Sequence, residues 1–485
     1  MSHSPVHLAR GILRNAAALF LVSVFAKGMG LIIAVLIARF LGPDAMGLYA
    51  LLFSIAMLLE AFISIGLANS LIRDVAARPN QASNLFFSTL KLVVMISLVP
   101  AVVLALAAVL VDDTGATRAS LLVMAAGTPV SGAFVLCQAV LQGTERVLLL
   151  TWVTFLARML SLIWLAFVLF QGAGVEAAFG SRLMFQGLAT AVFITVLWRA
   201  RTDVAADFTV RSLFTRSLPF ALIRTIGELN IRVPSLVLPG MMGFALSGVF
   251  DTANRIRGIL AMTMAAPIVG MMPSFARHFA DPGSQSDRFI GYSVKYMCLV
   301  MTAVATVIGL GAEWIISLLF GPAFSGALLP LQILIWAQAL VAVDAVLQQV
   351  MLAAGREYTA VRHSVVGVAA QLALIVVLGY ALGLPGAALS VLLSSALMLL
   401  IDLRFVVKSV TSIPLGQFAF APLAAAALVA GVMLFVHDQP FALRVLVVLG
   451  SWVVAMALFR LLPREELRFM MRLVPLSRAK FGRNS

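Results

Sequence analysis

The chain has 485 residues and a formal net charge of +14, with 62% hydrophobic and 11% charged residues and a mean hydropathy of +1.07. No soluble globular domain is this apolar, so the composition defines a polytopic membrane protein. The positive balance does not indicate a nucleic-acid partner, because most Lys and Arg lie in short connections between apolar runs.

Arg10 and Arg14 precede a long apolar run with no small-residue cleavage site, which reads as a retained first helix. Apolar runs of about 20 residues cross about 30 Å of hydrocarbon. They fall at 12–38, 46–70, 86–111, 119–142, 147–170, 174–198, 217–238, 243–272, 291–319, 326–353, 359–380, 384–405, 416–437 and 441–461, which makes fourteen predicted spans. Pro129, Pro219, Pro234 and Pro267 lie in or beside spans and predict kinks there. Cys137 and Cys298 both lie within apolar segments and read as packing residues, with no disulfide or metal role.

With the N-terminus placed in the cytoplasm, Arg73, Arg78, Arg199, Arg201, Arg211, Arg216, Arg277, Arg288 and the tail from Arg460 to Arg483 all fall on the inner side. Only Arg39, Arg118 and Arg444 fall outside, so both termini are expected to be cytoplasmic. The basic tail reads as an anchor along the membrane surface, in contact with membrane lipids. No connection is long enough for a nucleotide-binding or catalytic domain, and neither G-x-x-x-x-G-K-[ST] nor H-E-x-x-H is present. The expectation is a protein that is not an enzyme and holds no metal.

The chain repeats itself. A shift of 197 places Lys27 on Arg224, Gly30 on Gly227 and Leu41 on Leu238. GTERVLLL (143–150) pairs with GREYTAVR (355–362), and at that spacing Gly174 stands opposite Gly386. The predicted architecture is an all-α membrane protein of two six-helix lobes, 1–210 and 211–412, followed by two further helices in 413–462 and a cytoplasmic tail over 463–485. Six is even, so the lobes enter the membrane in the same direction, related by a pseudo-two-fold along the membrane normal with a cavity between them.

Seven cations lie more than five residues from either end of their spans: Lys27, Arg158, Arg182, Arg224, Arg232, Arg255 and Arg257. A charge at the bilayer centre costs at least about 2.5–3.5 kcal/mol, so it belongs in a protein interior or a wet cavity. Residues four apart share a helix face, which makes Arg224, Glu228 and Arg232 one stripe and Asp251 and Arg255 a pair. Lys27, Glu60, Glu228 and Arg255 fall near mid-membrane by residue count, and Lys27 and Arg224 are expected to face each other as symmetry mates. Two readings stand: the charges pair to lock the lobes, or their positive excess binds an anion such as a diphosphate. Lys27, Arg224 and Arg255 are the core candidates for that anion, with Arg232 and Arg257 in support. Glu60, Glu228, Asp251 and Asp344 are candidates for ion coupling or charge pairing, and Arg158 and Arg182 fit either role. Asp344, with Gln348 one turn on, reads as a proton or Na⁺ site or as a hydrogen-bonded polar pair. Gly28, Gly30 and Gly227 suit bending or close packing, and Glu313 lies near the outer interface.

RFLGPDAMGLYALL (39–52), GLANSLIRDVA (66–76) and LLFGPAFSGALLPLQIL (318–334) resemble the polysaccharide transporter family of the MOP flippase superfamily, which includes Wzx-like flippases. The resemblance implies a fold shared with MATE antiporters. It also implies translocation of an undecaprenyl-diphosphate-linked oligosaccharide across the bacterial inner membrane, for O-antigen, capsule or exopolysaccharide synthesis. A polysaccharide polymerase or export machinery would be the partner, with H⁺ or Na⁺ coupling and no other cofactor. In MurJ-like relatives cations on helices 1, 2 and 8 line the cavity. Lys27 and Arg255 match that placement, whereas helix 2 offers Glu60, which favours a surface glycan over lipid II. A MATE-like multidrug exporter and a lipid II flippase are the alternatives.

Overall fold

The computed structural model describes the backbone of residues 5–64, 67–111, 115–199, 210–280, 287–410, 416–436, 439–459 and 461, without the side chains of 5–27, 210–224 and scattered further positions. The basic tail lies outside the described residues. The helices are α1 (Pro5–Ser64), α2 (Leu67–Ala77), α3 (Ala82–Leu110), α4 (Ala116–Gly143), α5 (Val147–Phe170), α6 (Glu176–Arg199), α7 (Val210–Ala280), α8 (Asp287–Leu319), α9 (Leu328–Ala353), α10 (Glu357–Ser409), α11 (Ala421–Phe435) and α12 (Phe441–Leu458). Among the described residues there is no strand, and ten helices are long and apolar enough to cross a membrane.

Three of these helices are too long for one crossing. A straight helix of 60 residues, as in α1, would measure about 90 Å, three times the hydrocarbon thickness. Each long helix contains a non-helical glycine: Gly42 in α1 (φ 80°), Gly243 in α7 (φ 82°) and Gly383 in α10 (φ 65°). Positive φ is cheap only without a Cβ, so glycine marks these breaks. Each break falls between or at the edge of two predicted spans. With every long helix counted as two arms and α11 as a short span, the fourteen spans of the sequence are accounted for.

The repeat is visible in backbone geometry, in a slightly different register. The α4–α5 and α9–α10 turns make the same hydrogen bonds. Thr144 N donates to Val140 O (2.9 Å) and Arg146 N to Leu141 O (2.8 Å), while Ala354 N donates to Val350 O (3.0 Å) and Arg356 N to Met351 O (2.9 Å). Glu145 and Gly355 take the same positive φ (58° and 70°). The turns therefore match at a shift of 210, two residues from the sequence pairing. Likewise Gly42 and Gly243 match at a shift of 201, one helical turn from the 197 read in sequence.

The lobes meet along α1 and α7, the most extensive helix–helix contact in the fold. A methyl group on Gly47 would overlap the Phe244 carbonyl oxygen, and one on Gly248 would overlap the Pro43 carbonyl oxygen. These contacts are reciprocal under the same 201-residue shift, so the two breaks cross backbone to backbone about the pseudo-two-fold. At this end Arg39 Nε donates to Leu319 O (2.8 Å), and a second guanidinium nitrogen reaches Leu318 O. A cation from the first lobe thereby caps the C-terminus of α8 in the second.

Within the N-terminal lobe, Phe86, Phe193, Leu136 and Cys137 pack in one core, and Cys298 of α8 is buried in the larger core that joins both lobes. Both cysteines are free and buried, as the sequence predicts. α11 and α12 dock on α8, where Trp452 Nε1 donates to Thr306 Oγ1 (3.1 Å). Glu313 pairs with Arg444 at 3.5 Å, beside the end assigned to the outer surface.

Gly47→Val is expected to keep the two breaks from closing, at a cost of about 1–3 kcal/mol to the closed seam. Electron-spin distance measurements between labels at Asp44 and Leu246 should show a longer separation. Gly187→Ala, which meets nothing within 4 Å, should leave that distance unchanged.

Candidate functional site between the lobes

The second arm of α1 carries Tyr49, Phe53 and Glu60, whose spacing of four and seven residues puts them on one face. This face meets three arginines. Arg182 from α6 lies 5.4 Å from the Phe53 ring centre, Arg232 from the first arm of α7 lies 5.2 Å from it, and Arg255 from the second arm lies 5.6 Å from it. Arg255 also stands 5.0 Å from the Tyr49 ring. Tyr49 in turn packs on Phe53 and Phe179, each at 5.5 Å. Three guanidinium groups thus converge on one phenylalanine at the junction of the lobes. Arginine suits an aromatic face because its charge is delocalised and weakly hydrated.

Each of these arginines has a carboxylate, and each pair is made inside one lobe. Arg182 forms an ion pair with Glu60 in the N-terminal lobe. Arg255 Nε bonds Asp251 Oδ2 at 2.6 Å, and Ser235 Oγ donates to Asp251 Oδ1 at 3.3 Å. Arg232 Nε stands 3.6 Å from Glu228 Oε2, too far for a hydrogen bond. Arg232 Nε and Glu228 Oε2 are both buried without a hydrogen-bond partner. Of the three pairs, this one is left open. Arg257 is buried beside a neutral amide, its Nε 2.9 Å from Asn254 Oδ1. Arg158 lies 4.3 Å over the Phe185 ring. Among the described residues, five arginines meet three carboxylates here, so the cluster is net positive.

A cavity extends from this cluster into the N-terminal lobe between Glu60, Arg182, Thr128, Ser131 and Gln186. Ser131 Oγ donates to Gln186 Oε1 (2.6 Å) on its wall.

The pairing reading describes Arg182 and Arg255, whereas Arg232 stands beside Glu228 without a hydrogen bond. Arg182, which the sequence left undecided, pairs with Glu60 and still faces the Phe53 cluster. Arg232, named only in support, carries the buried donor without a hydrogen bond. The side chains of Lys27 and Arg224 lie outside the described residues, but their places along the helices are defined. Measured from the glycine breaks, Arg232 stands about 16 Å along α7, Arg255 about 18 Å, Lys27 about 22 Å along α1 and Arg224 about 28 Å. In the 201-residue register Lys27 is the mate of Glu228, and Arg224 lies one turn farther from the seam on the same face. Asp344 belongs to another group, in the C-terminal lobe between α9 and α10, where Gln348 Nε2 donates to its Oδ2 at 2.8 Å. Sequence reasoning missed Tyr49 and Phe53. Their shared face with Glu60 was the available signal.

Helical hairpins broken at glycine and two pseudo-symmetric lobes with a net-positive arginine cluster at their junction define a multi-pass membrane protein with the fold of the two-lobed MOP-superfamily transporters. The chain belongs to the polysaccharide biosynthesis protein family, whose model matches residues 12–279. Among solved structures it is similar to the lipid II flippase MurJ in an inward closed conformation, at 13% identity and a TM-score of 0.66, covering 94% of this chain and 100% of that one. It is also similar to a multidrug resistance MATE family transporter of the MOP superfamily in the inward-facing conformation, at 16% identity and a TM-score of 0.63, covering 78% and 92%. An outward-facing MATE structure matches at 17% identity and a TM-score of 0.59, covering 84% and 97%. No curated protein sequence matches the chain.

Removing one partner of a buried pair strands the other, at a typical cost of 3–5 kcal/mol. Arg182→Gln is therefore expected to lower the thermal unfolding midpoint of the purified protein markedly. The double variant Glu60→Gln/Arg182→Gln should recover most of that loss.

Proposed function

We propose that this chain moves a polyprenyl-diphosphate-linked oligosaccharide across the bacterial inner membrane by alternating access, for surface polysaccharide biosynthesis, with both termini in the cytoplasm. The observation that carries the reading is the arginine cluster on Phe53, with the Arg232 Nε donor buried and not hydrogen-bonded. A diphosphate supplies many acceptor oxygens, and guanidinium groups bind such oxygens bidentately. The open Glu228–Arg232 pair is the weak point through which the anion enters, because its carboxylate holds no hydrogen bond from Arg232 to be broken.

The order of cations along the helices suggests a path. Arg224 stands nearest the end away from the seam and receives the diphosphate. Lys27 lies one turn deeper, and Arg232 and Arg255 hold the group against Phe53, with Arg257 adding to the positive field. The sugar passes between the lobes as they open, while the polyprenyl chain stays in lipid. The polysaccharide biosynthesis family supports a glycan cargo, and Glu60 on the second arm of α1 favours a surface glycan over lipid II. On the opposite face a polysaccharide polymerase would take over the product.

The test is translocation of a defined undecaprenyl-diphosphate oligosaccharide in proteoliposomes. A hydrogen bond to a charged group contributes about 1.5–3 kcal/mol, so Arg232→Ala and Arg255→Ala should each slow translocation about 10–100-fold. Arg224→Ala should abolish polysaccharide export in cells while membrane-inserted protein persists. Transport of organic cations without any lipid translocation would replace this reading with the MATE-like one.

A further inference from the structure

At their glycine breaks α1 and α7 meet backbone to backbone, through Gly47 on Phe244 and Gly248 on Pro43. Farther along the same arms, a Cβ at Gly28, Gly30 or Gly227 would meet nothing within 4 Å. The tight end is the one that the Lys and Arg distribution assigns to the outside. A third turn joins it, the α8–α9 connection. There Gly321 (φ 91°, ψ 177°) repeats the conformation of Gly42 (φ 80°, ψ −173°) and Gly243 (φ 82°, ψ 171°). The short 3₁₀ helix that follows, Pro322–Ala327, packs on α7.

The last carbonyls of a helix have no donor within it. At the end of α8, Phe320 N and Gly321 N both turn to Ile316 O (2.9 and 3.2 Å), and Phe324 N turns to Gly321 O (3.2 Å). Pro322 has no N–H to give. Arg39 supplies donors from the other lobe, with Nε on Leu319 O (2.8 Å) and a second nitrogen on Leu318 O. Two adjacent carbonyls suit the planar guanidinium fork, and a cation suits the negative end of the helix dipole.

Both ends of this contact are anchored. Phe40, next to Arg39, packs edge-on against Phe170 of α5 at 4.8 Å. Phe320, next to Leu319, is buried against Phe324 at 5.9 Å. Each lobe is also tied within itself, by Glu60–Arg182 in the first and, in the second, by His363 Nδ1 at 2.5 Å from Asp402 Oδ1 across the arms of α10. Opening the outer seam therefore breaks the Arg39 contact. The contact also departs from the pseudo-two-fold, because in the 201-residue register the mate of Arg39 is Gly240. The second lobe has no side chain at the corresponding place, so this tie is made from one side.

We propose that Arg39 is the latch of the outer gate, and that its release from the Leu318 and Leu319 carbonyls is a step of outward opening. The proposal rests on the alternating-access part of the proposed function and not on its cargo. Arg39 is exposed, so water takes over both sides of the contact when it opens. A cap that served only to finish α8 would leave the lobes in place when removed.

Electron-spin distance distributions in lipid nanodiscs without cargo test the latch. An outer pair carries labels at Asp44 and Leu246. An inner pair carries them at Leu148 and Tyr358, exposed residues in the first turns of α5 and α10 that are mates at the 210-residue shift. Arg39→Ala should raise the share of molecules with the longer outer separation about 2–10-fold, the loss of one net hydrogen-bonded contact. The inner separation should shorten in the same proportion of molecules. Arg39→Lys, which keeps the charge but lacks the fork, should fall between Arg39→Ala and the wild type. An unchanged outer distribution in folded Arg39→Ala overturns the latch, and so does outer lengthening without inner shortening. Gly47→Val, which wedges the same seam, separates two kinds of failure. If it lengthens the outer pair and Arg39→Ala does not, the latch is wrong and alternating access stands. If neither variant moves the outer pair, both fail.

Discussion

Hydrocarbon supplies neither counter-ions nor water, so a guanidinium group placed between lipid-facing helices must be compensated by the protein. This constraint explains the arrangement around Phe53. Arg182, Arg232 and Arg255 each lie beside a carboxylate and against an aromatic face, two environments that replace hydration. The glycine breaks serve the same end. They let α1 and α7 reverse direction between spans and bring four arms together around a common axis, so that charges from distant parts of the chain meet.

Much of this was legible in the sequence, because hydrophobic length and charge asymmetry respond directly to the bilayer. Every predicted span has a helical counterpart, and the glycine breaks fall near the predicted boundaries. The repeat was legible as a fact but not in its register. In sequence made largely of Leu, Val and Ala, many offsets give similar matches, and a slip of one turn preserves the facing side. Only the positive φ at Gly42 and Gly243 and the matching turns at Glu145 and Gly355 distinguish the offsets. That slip separated Lys27 from Arg224 by one turn along the cavity.

The residues that sequence reasoning passed over share a physical reason. Phe53 and Tyr49 are aromatic side chains in an apolar helix, and nothing local marks them as partners for arginines from α6 and α7. His363 and Asp402 are 39 residues apart on two arms of one helix, so no spacing rule connects them until the Gly383 break folds the chain. Arg39 appeared to be an ordinary outward-facing charge. Its partners are backbone carbonyls 279 and 280 residues away, which no side-chain pattern encodes.

The placement of the ion pairs has a consequence for motion. Glu60–Arg182 is confined to the first lobe, and Glu228–Arg232 and Asp251–Arg255 to the second. Among the described residues, Arg232 and Arg255 reach across from the second lobe to the Phe53 and Tyr49 rings of the first. Such contacts contribute about 0.5–2 kcal/mol each, far less than separating a buried ion pair. At the seam, the carbonyls released by the exposed Arg39 can be taken over by water. Separating the lobes at Phe53 would therefore leave each of these carboxylates beside its own arginine.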